Sequence, residues 1–118
     1  MKSKQPNPEI PGVEDVGPEE VNELRGSLKI VDVRRPDEWS GEYGHIPEAQ
    51  HLILDMLPMK IGELSKEDTI IFVCRSGNRS AHATQFAKEN GFTKVYNMKG
   101  GMIAWTELKY EAAEKNGS

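Results

Sequence analysis

The chain has 118 residues, of which 36% are hydrophobic and 29% are charged, a composition typical of one globular domain that buries a core without disulfide bonds. Its net charge of −4 argues against nucleic acid and anionic membranes as partners, and no apolar run is long enough to cross a membrane. A single cysteine excludes an internal disulfide and a multi-thiolate metal site, and the three histidines lack metal-ligand spacing.

The start of the chain carries basic residues without an apolar core behind them, so it does not resemble a secretory signal. We therefore expect a cytoplasmic protein, although a chain whose signal had been removed would have the same composition. Nothing in the sequence demands a dimer, and we expect a monomer.

Short runs of β-branched and aromatic residues predict five strands. In chain order they are 13–16, 29–33, 52–54, 69–73 and 95–97. Helices are predicted at 18–26, 55–63, 81–89 and 102–105. Pro18 fits a first helical turn, and Gly26 and Gly91 are suitable C-terminal stops. Strands that alternate with helices through short loops predict an α/β domain with a mostly parallel sheet.

The chain divides into three predicted parts. Residues 1–12 are rich in proline, lysine and asparagine and predict a flexible lead-in. Residues 13–108 form the predicted domain, in which 34–44 is a long polar, turn-rich connection. Residues 109–118 predict a polar C-terminal tail that frays.

Two polar segments follow directly after predicted strands. Asp32 and Arg34 stand at the end of the second strand, and Cys74 follows the fourth. Because the carboxyl ends of parallel strands meet at one edge of a sheet, we expect these residues to lie close together. Ligands of open α/β sheets bind at that edge, so the sequence predicts the functional site there.

The segment from Cys74 to Ser80 places a thiol on a strand-to-helix turn between two arginines, with no acidic residue. Loop N–H groups and the N-terminus of the following helix favour an anion beside the sulfur, and Gly77 permits the backbone conformation that such a turn needs. The predicted substrate-binding residues around the catalytic Cys74 are Arg75, Ser76, Gly77, Asn78, Arg79 and Ser80.

A lone cysteine at a strand end is more often a small buried hydrophobe than a nucleophile. No core requires the run of serine, glycine, asparagine and two arginines that follows Cys74, so we favour the functional interpretation. No histidine is adjacent in sequence, which favours electrostatic activation without a dedicated base. Such a thiolate suits attack on an already polarised atom, such as the outer sulfur of thiosulfate, and would leave a persulfide on Cys74.

Four motifs in order, between about Val13 and Trp105, make the chain resemble a rhodanese-like domain of the single-domain sulfurtransferase type. They are Cys74-Arg75-Ser76-Gly77-Asn78-Arg79-Ser80, Asp32-Val33-Arg34, Gly44-His45-Ile46-Pro47 and Gly100-Gly101 followed by Ala104-Trp105. The chain departs from the family pattern at Glu48, where glycine is usual, and in the longer segment 40–43. The resemblance implies a three-layer domain whose central, mostly parallel sheet is flanked by helices.

The resemblance also implies a double displacement without cofactor or metal. Cys74 would take sulfur from thiosulfate or another sulfane-sulfur donor and pass it to cyanide, a small thiol or a thioredoxin-like protein. A sulfur carrier or regulatory binding module without turnover is the alternative. A phosphatase or arsenate reductase is disfavoured, because four residues separate Cys74 from Arg79 where the phosphatases have five.

The residues that support the loop have alternative roles. Asp32 either orients the loop through its donors or caps the local backbone. Arg34 either lines the anion site or pairs with an acid such as Glu38, and we favour pairing. His45, within a turn motif, is expected to be a structural hydrogen-bonding residue rather than a proton carrier. Trp39 is expected in the core or the pocket wall.

Overall fold

The structure, a computed structural model, describes residues 1–113, and within them six strands form one sheet. The strands are β1 (Gln5–Pro6), β2 (Glu14–Val16), β3 (Lys29–Asp32), β4 (Gln50–His51), β5 (Ile70–Val73) and β6 (Val95–Met98). Their order is β1-β2-β6-β5-β3-β4, and every neighbouring pair is parallel except β1 and β2. The predicted α/β fold with a mostly parallel sheet is confirmed.

Residues 1–113 also form five α-helices, which pack with the sheet. They are α1 (Pro18–Leu24), α2 (Pro36–Trp39), α3 (Leu57–Lys60), α4 (Asn78–Glu89) and α5 (Gly101–Glu107). Two 3₁₀ turns, Leu54–Met56 and Ile61–Glu63, flank α3 and complete the short helical segment predicted there. No helix among residues 1–113 combines the length and the apolar character that crossing a membrane would need.

The core lies on both faces of the sheet, and β5 shows how the alternation of side chains produces it. Ile70 and Phe72 face one side, with Ala83 and Ala87 of α4. Ile71 and Val73 face the other side, where they belong to a cluster with Val21 of α1 and with Met102 and Trp105 of α5. A strand buried on both faces is uniformly apolar, which explains its sequence.

The structure differs from the sequence predictions at three elements. The strand predicted at 52–54 is found at Gln50–His51 (β4), because a 3₁₀ helix already begins at Leu54. Helix α2 within the polar connection was missed; Pro36 at its start and the Glu38 side chain bonded to the Arg35 N–H stabilise this single turn. Strand β1 was missed as well, since two residues give no periodic pattern.

Both ends of the described chain contact the domain. The Ser3 N–H and hydroxyl donate to the carboxylate of Glu20, and Ile10 packs with Val13 and Ala81. At the other end, the backbones of His45 and Ala113 exchange two hydrogen bonds of 3.0 and 2.7 Å. The division at residues 12 and 108 stays a prediction, and residues 114–118 of the predicted tail lie outside the described part.

We predict that Trp105→Ala lowers the free energy of unfolding by about 3–5 kcal/mol, measured by urea denaturation. Trp105 is completely buried, its ring meets Tyr110 edge-on at 5.0 Å, and its indole N–H donates to the Glu111 carbonyl. Met59→Ala is the control, because Met59 is 80% exposed and should change stability by less than about 0.5 kcal/mol. Equal losses in both variants would contradict the placement of Trp105 in the core.

Candidate active site

Cys74 follows the last residue of β5, at the carboxyl edge of the parallel strands. Asp32 of β3 pairs in register with Val73, so the ends of the two strands are neighbours. The prediction that Cys74 and the Asp32–Arg34 segment share one edge of the sheet is confirmed. The cysteine itself is only 1% exposed, so its sulfur lies at the bottom of the loop rather than on the surface.

The loop wraps its backbone under the sulfur. Gly77 has φ = 104°, a left-handed conformation that residues with a side chain rarely adopt, and its N–H donates to Cys74 Sγ at 3.1 Å. Helix α4 begins at Asn78, three residues before the predicted start at Ala81, so Asn78–Ser80 form its first turn. The positive end of a twelve-residue helix therefore lies beside the sulfur.

The N-terminus of α5 also binds the backbone of the loop. The Met102 N–H donates to the Cys74 carbonyl at 2.9 Å, and the Ile103 N–H donates to the Arg75 carbonyl at 3.1 Å. This contact leaves no room for a side chain at Gly101, where a Cβ would lie 2.5 Å from the Cys74 and Arg75 carbonyl oxygens. The Gly100-Gly101 pair thus allows α5 to approach the loop backbone.

Arg79 is bound by Glu38 rather than left free for a ligand. Its two terminal nitrogens each donate to one carboxylate oxygen of Glu38 at 2.7 Å. The hydrogen bonds from Arg79 lower the pKa of Glu38 to about 2, against the partial burial that opposes this shift. The same bonds raise the pKa of Arg79. The pair joins α2 to the first turn of α4 and neutralises one of the two loop cations.

Arg34 pairs with an acid, as expected, but the partner is Asp32 rather than Glu38. The two carboxylate oxygens of Asp32 accept bonds of 2.7–3.1 Å from the guanidinium, and both side chains are buried. The Glu38 carboxylate binds Arg79 instead, and Arg34 also donates to the carbonyls of Glu38 and Gly44. Asp32 also accepts the Arg34 N–H, so it caps the local backbone.

The rings of two histidines near this edge, His45 and His51, both stack on Trp39. The ring of His45 lies 3.5 Å from Trp39 and that of His51 lies 4.6 Å from it, both nearly parallel. His45 Nδ1 is 3.0 Å from the Trp39 carbonyl, and His51 Nε2 is 2.7 Å from the Arg34 carbonyl. His45 is thus hydrogen-bonded within the fold, as expected, and Trp39 is half-buried, lying against the two histidine rings rather than within the core clusters or the cavities.

Two cavities flank the loop. One, of about 170 Å³, lies between Arg35, Asp55 and Arg79 beyond the strand ends. The other, of about 380 Å³, lies between residues 5–10 and residues 76–78. Cys74 lines neither, in agreement with its burial. No group of three or more His, Cys, Asp or Glu residues within the described chain is arranged to hold a metal ion.

Comparison with known proteins agrees with the family resemblance of the sequence motifs. The family model for the rhodanese-like domain matches residues 17–108. The chain belongs to the rhodanese-like domain family. A sulfurtransferase of Allochromatium vinosum is 37% identical over 76 residues, which are 64% of this chain and 69% of that protein.

Solved structures agree with this assignment. A rhodanese-related protein of Thermoplasma volcanium has a TM-score of 0.79 and 25% identity, with 86% of this chain and 98% of that chain covered. The human single-domain sulfurtransferase TSTD1 has a TM-score of 0.70 and 26% identity, with 81% and 97% covered. The three-layer arrangement expected from the family resemblance is therefore confirmed.

Two departures from the rhodanese-like pattern have different positions. Glu48 lies beside Arg25 at the end of α1, with 3.7 Å between its carboxylate and the guanidinium. The extended segment 40–43 instead reaches the loop, because the ring of Tyr43 lies under the exposed guanidinium of Arg75 at 5.7 Å. The longer segment of this rhodanese-like domain thus contacts one of the two arginines of the loop.

Sequence reasoning missed two further residues of this rhodanese-like site. The Ser80 hydroxyl contacts both Cys74 Sγ, at 3.2 Å, and the amide oxygen of Asn97. The Asn97 amide nitrogen donates to Asp15 at 2.9 Å. The two missed residues, Asp15 and Asn97, are polar and lie within short predicted strands. A polar side chain in a buried strand is the sequence feature that marks them.

We predict that Gly101→Ala destabilises this rhodanese-like domain by roughly 2–4 kcal/mol in urea denaturation. The added Cβ would collide with the loop backbone, and Gly101 has φ = 57°, a conformation that alanine rarely adopts. Gly62→Ala is the control. A Cβ on Gly62 meets no atom within 4 Å, so stability should stay within about 0.5 kcal/mol of wild type. A neutral Gly101→Ala would contradict the close approach of α5.

We predict that Glu38→Gln lowers the free energy of unfolding by roughly 1–2 kcal/mol at pH 7, a range discounted for the partial exposure of Arg79. Since folding lowers the pKa of Glu38 from 4.5 to about 2, its contribution is complete above pH 4.5 and is lost as the pH falls toward 2. Urea denaturation at several pH values should show the difference from wild type shrinking over that interval.

Asp37→Asn is the matched control for this pH series. Asp37 is one residue away in α2 and pairs with Arg35, but both side chains are largely exposed. Its removal should change stability by less than about 0.5 kcal/mol at every pH. A Glu38→Gln effect that persists unchanged at pH 2 would contradict the ion pair as its cause.

Proposed function

We propose that this protein is a sulfurtransferase that carries sulfane sulfur as a persulfide on Cys74. The observation that carries the proposal is the environment of the sulfur, in which the Gly77 N–H donates to Sγ and the N-terminus of α4 lies beside it. Donors and a helix dipole directed at one atom favour negative charge on it. The rhodanese-like family and its sulfurtransferase relatives support the same chemistry.

With thiosulfate as donor, the Cys74 thiolate attacks the outer sulfur and forms the new S–S bond. The bond between the two sulfurs of thiosulfate breaks, and sulfite leaves with its electron pair. In the second step an acceptor such as cyanide attacks the outer sulfur of the persulfide, so that thiocyanate leaves and the Cys74 thiolate is restored. Charge balances in both steps, and neither needs an oxidant, a metal or a general base.

The charges of the loop suit a small anionic donor. The guanidinium of Arg79 is paired with Glu38. The exposed Arg75 and the backbone N–H groups of the loop are therefore the remaining positive partners for an anion. Since Cys74 is 1% exposed, the donor must present a narrow sulfur-bearing end. Thiosulfate or a persulfide fits that requirement, and cyanide, a small thiol or a thioredoxin-like cysteine fits it as acceptor.

The spacing of the loop also argues against phosphate as substrate. Only four residues separate Cys74 from Arg79, and the guanidinium is turned away to Glu38 rather than across the loop. A tetrahedral phosphate would need that guanidinium as a bidentate partner. We therefore propose sulfur transfer in place of phosphoester hydrolysis.

We predict that treatment with thiosulfate adds the mass of one sulfur atom to the intact protein, and that subsequent cyanide removes it with release of thiocyanate. Cys74→Ser should abolish both, because the chain has no other thiol. Intact mass spectrometry and a colorimetric thiocyanate assay measure the two steps. Met59→Ala is the control, because Met59 is 80% exposed and lies outside the loop, and this variant should still load sulfur.

Full thiocyanate formation by Cys74→Ser would overturn the proposal, and so would hydrolysis of a generic aryl phosphate without any sulfur loading. Loading without turnover on any acceptor would instead identify the protein as a sulfur carrier. Steady-state assays with cyanide, a small thiol and a reduced thioredoxin separate these outcomes.

A further inference from the structure

A line of buried polar side chains runs from β2 to the sulfur of Cys74. Asp15 accepts from the Asn97 amide at 2.9 Å, the amide oxygen of Asn97 accepts from the Ser80 hydroxyl, and Ser80 contacts Sγ at 3.2 Å. Asp15, Asn97 and Ser80 are 6%, 2% and 0% exposed. Strand pairing brings them together, because Asp15 and Asn97 are register partners in the parallel strands β2 and β6.

The orientation of the Asn97 amide is fixed by Asp15. An ionised carboxylate only accepts hydrogen bonds, so the amide nitrogen of Asn97 must face Asp15 and its oxygen must face Ser80. The reverse orientation would place two acceptors against each other in a buried site. The Asn7 side chain also donates to Asp15, at 3.0 Å, and holds the carboxylate in place.

Ser80 therefore has two acceptors for one proton. Its hydroxyl either donates to Asn97 or donates to Cys74 Sγ, and it cannot do both fully at once. When the sulfur is a thiolate, donation to Sγ leaves the buried oxygen of Asn97 without a partner. When Sγ carries no charge, as in the thiol or in a persulfide whose charge lies on the outer sulfur, donation to Asn97 satisfies every group.

We propose that Asp15 and Asn97 are positioning residues that hold the Ser80 proton away from Cys74 and so favour the uncharged states of Sγ over the free thiolate. The inference rests on the proposed persulfide carrier, and it assigns to these two residues a bias towards the loaded form. The persulfide keeps its charge on the outer sulfur, near the loop N–H groups, while Ser80 stays bonded to Asn97.

Other charged groups also act on the sulfur. Arg79 on α4 interacts electrostatically with Cys74, and Glu38 on α2 neutralises most of its charge. The Asp32–Arg34 pair at the end of β3 is compensated internally. Arg75 is exposed to solvent above Tyr43. Asp15 is the one acid that the polar line connects to Sγ, so its removal tests the line directly.

The test is a pH titration of the thiolate by its ultraviolet absorbance, with the Cys74→Ser protein subtracted as background. The chain has a single cysteine, so the difference reports on Cys74 alone. Asp15→Asn permits the Asn97 amide to turn and give its nitrogen to Ser80, which frees the hydroxyl for Sγ. We expect the midpoint to fall by roughly 0.5–1 pH unit, the equivalent of one hydrogen bond.

Asn97→Leu removes the competing acceptor by a second route and should lower the midpoint in the same direction. Ser80→Ala removes the donor and should raise it. A purely structural role for the line would move all three midpoints in the same direction. Glu14→Gln is the matched control, because this neighbouring acid of β2 lies 3.9 Å from the Lys4 amine, away from the line, and should leave the midpoint unchanged.

The double variant Asp15→Asn with Ser80→Ala separates the hydrogen-bond line from a through-space charge effect. If Asp15 acts through Ser80, the double variant titrates where Ser80→Ala does. A downward shift that survives without Ser80, or a rise in the midpoint of Asp15→Asn, would overturn the inference. The titration requires no sulfur donor, so absence of persulfide formation would defeat the proposed function and leave this measurement intact.

Discussion

Two helix N-termini meet at the turn that carries Cys74, and the arrangement of the rest of the site depends on their close approach. Helix α4 directs its first turn and the Gly77 N–H at the sulfur, while α5 donates two N–H groups to the carbonyls of Cys74 and Arg75. The turn is therefore held on both sides of its backbone. This is possible only because Gly77 adopts a left-handed conformation and Gly101 has no side chain.

Charge in the site is arranged differently from what a count of arginines suggests. Arg34 forms an ion pair with Asp32 in the interior, and Arg79 forms one with Glu38 near the surface. Both guanidinium groups therefore serve mainly to hold segments of the chain together. The sulfur is instead faced by hydrogen-bond donors and a helix dipole, which cost no side-chain ordering when an anion arrives. Such a site stabilises a small, diffuse negative charge on sulfur better than a phosphate dianion.

Much of the fold follows from local patterns. The β-branched and aromatic run 69–73 predicted a buried strand, and its end at Cys74 predicted the edge of the sheet at which Asp32 and Cys74 meet. Short elements were less predictable. Strand β1 and helix α2 have two and four residues, too few for any periodicity, and they form because tertiary partners hold them, such as Glu14–Val16 for β1. The start of α4 was placed three residues late because the loop and the helix share Asn78–Ser80.

The sequence by itself determined the backbone setting of Cys74, since a buried strand precedes the cysteine and a glycine and then a helix follow it. Tertiary structure alone decided which partner each polar group takes. Glu38 and Arg79 are 41 residues apart, and Asp15 and Asn97 are 82 apart, yet both pairs are in direct contact. Strand order brings such residues together, and a buried polar group then bonds to whichever donor or acceptor is within reach.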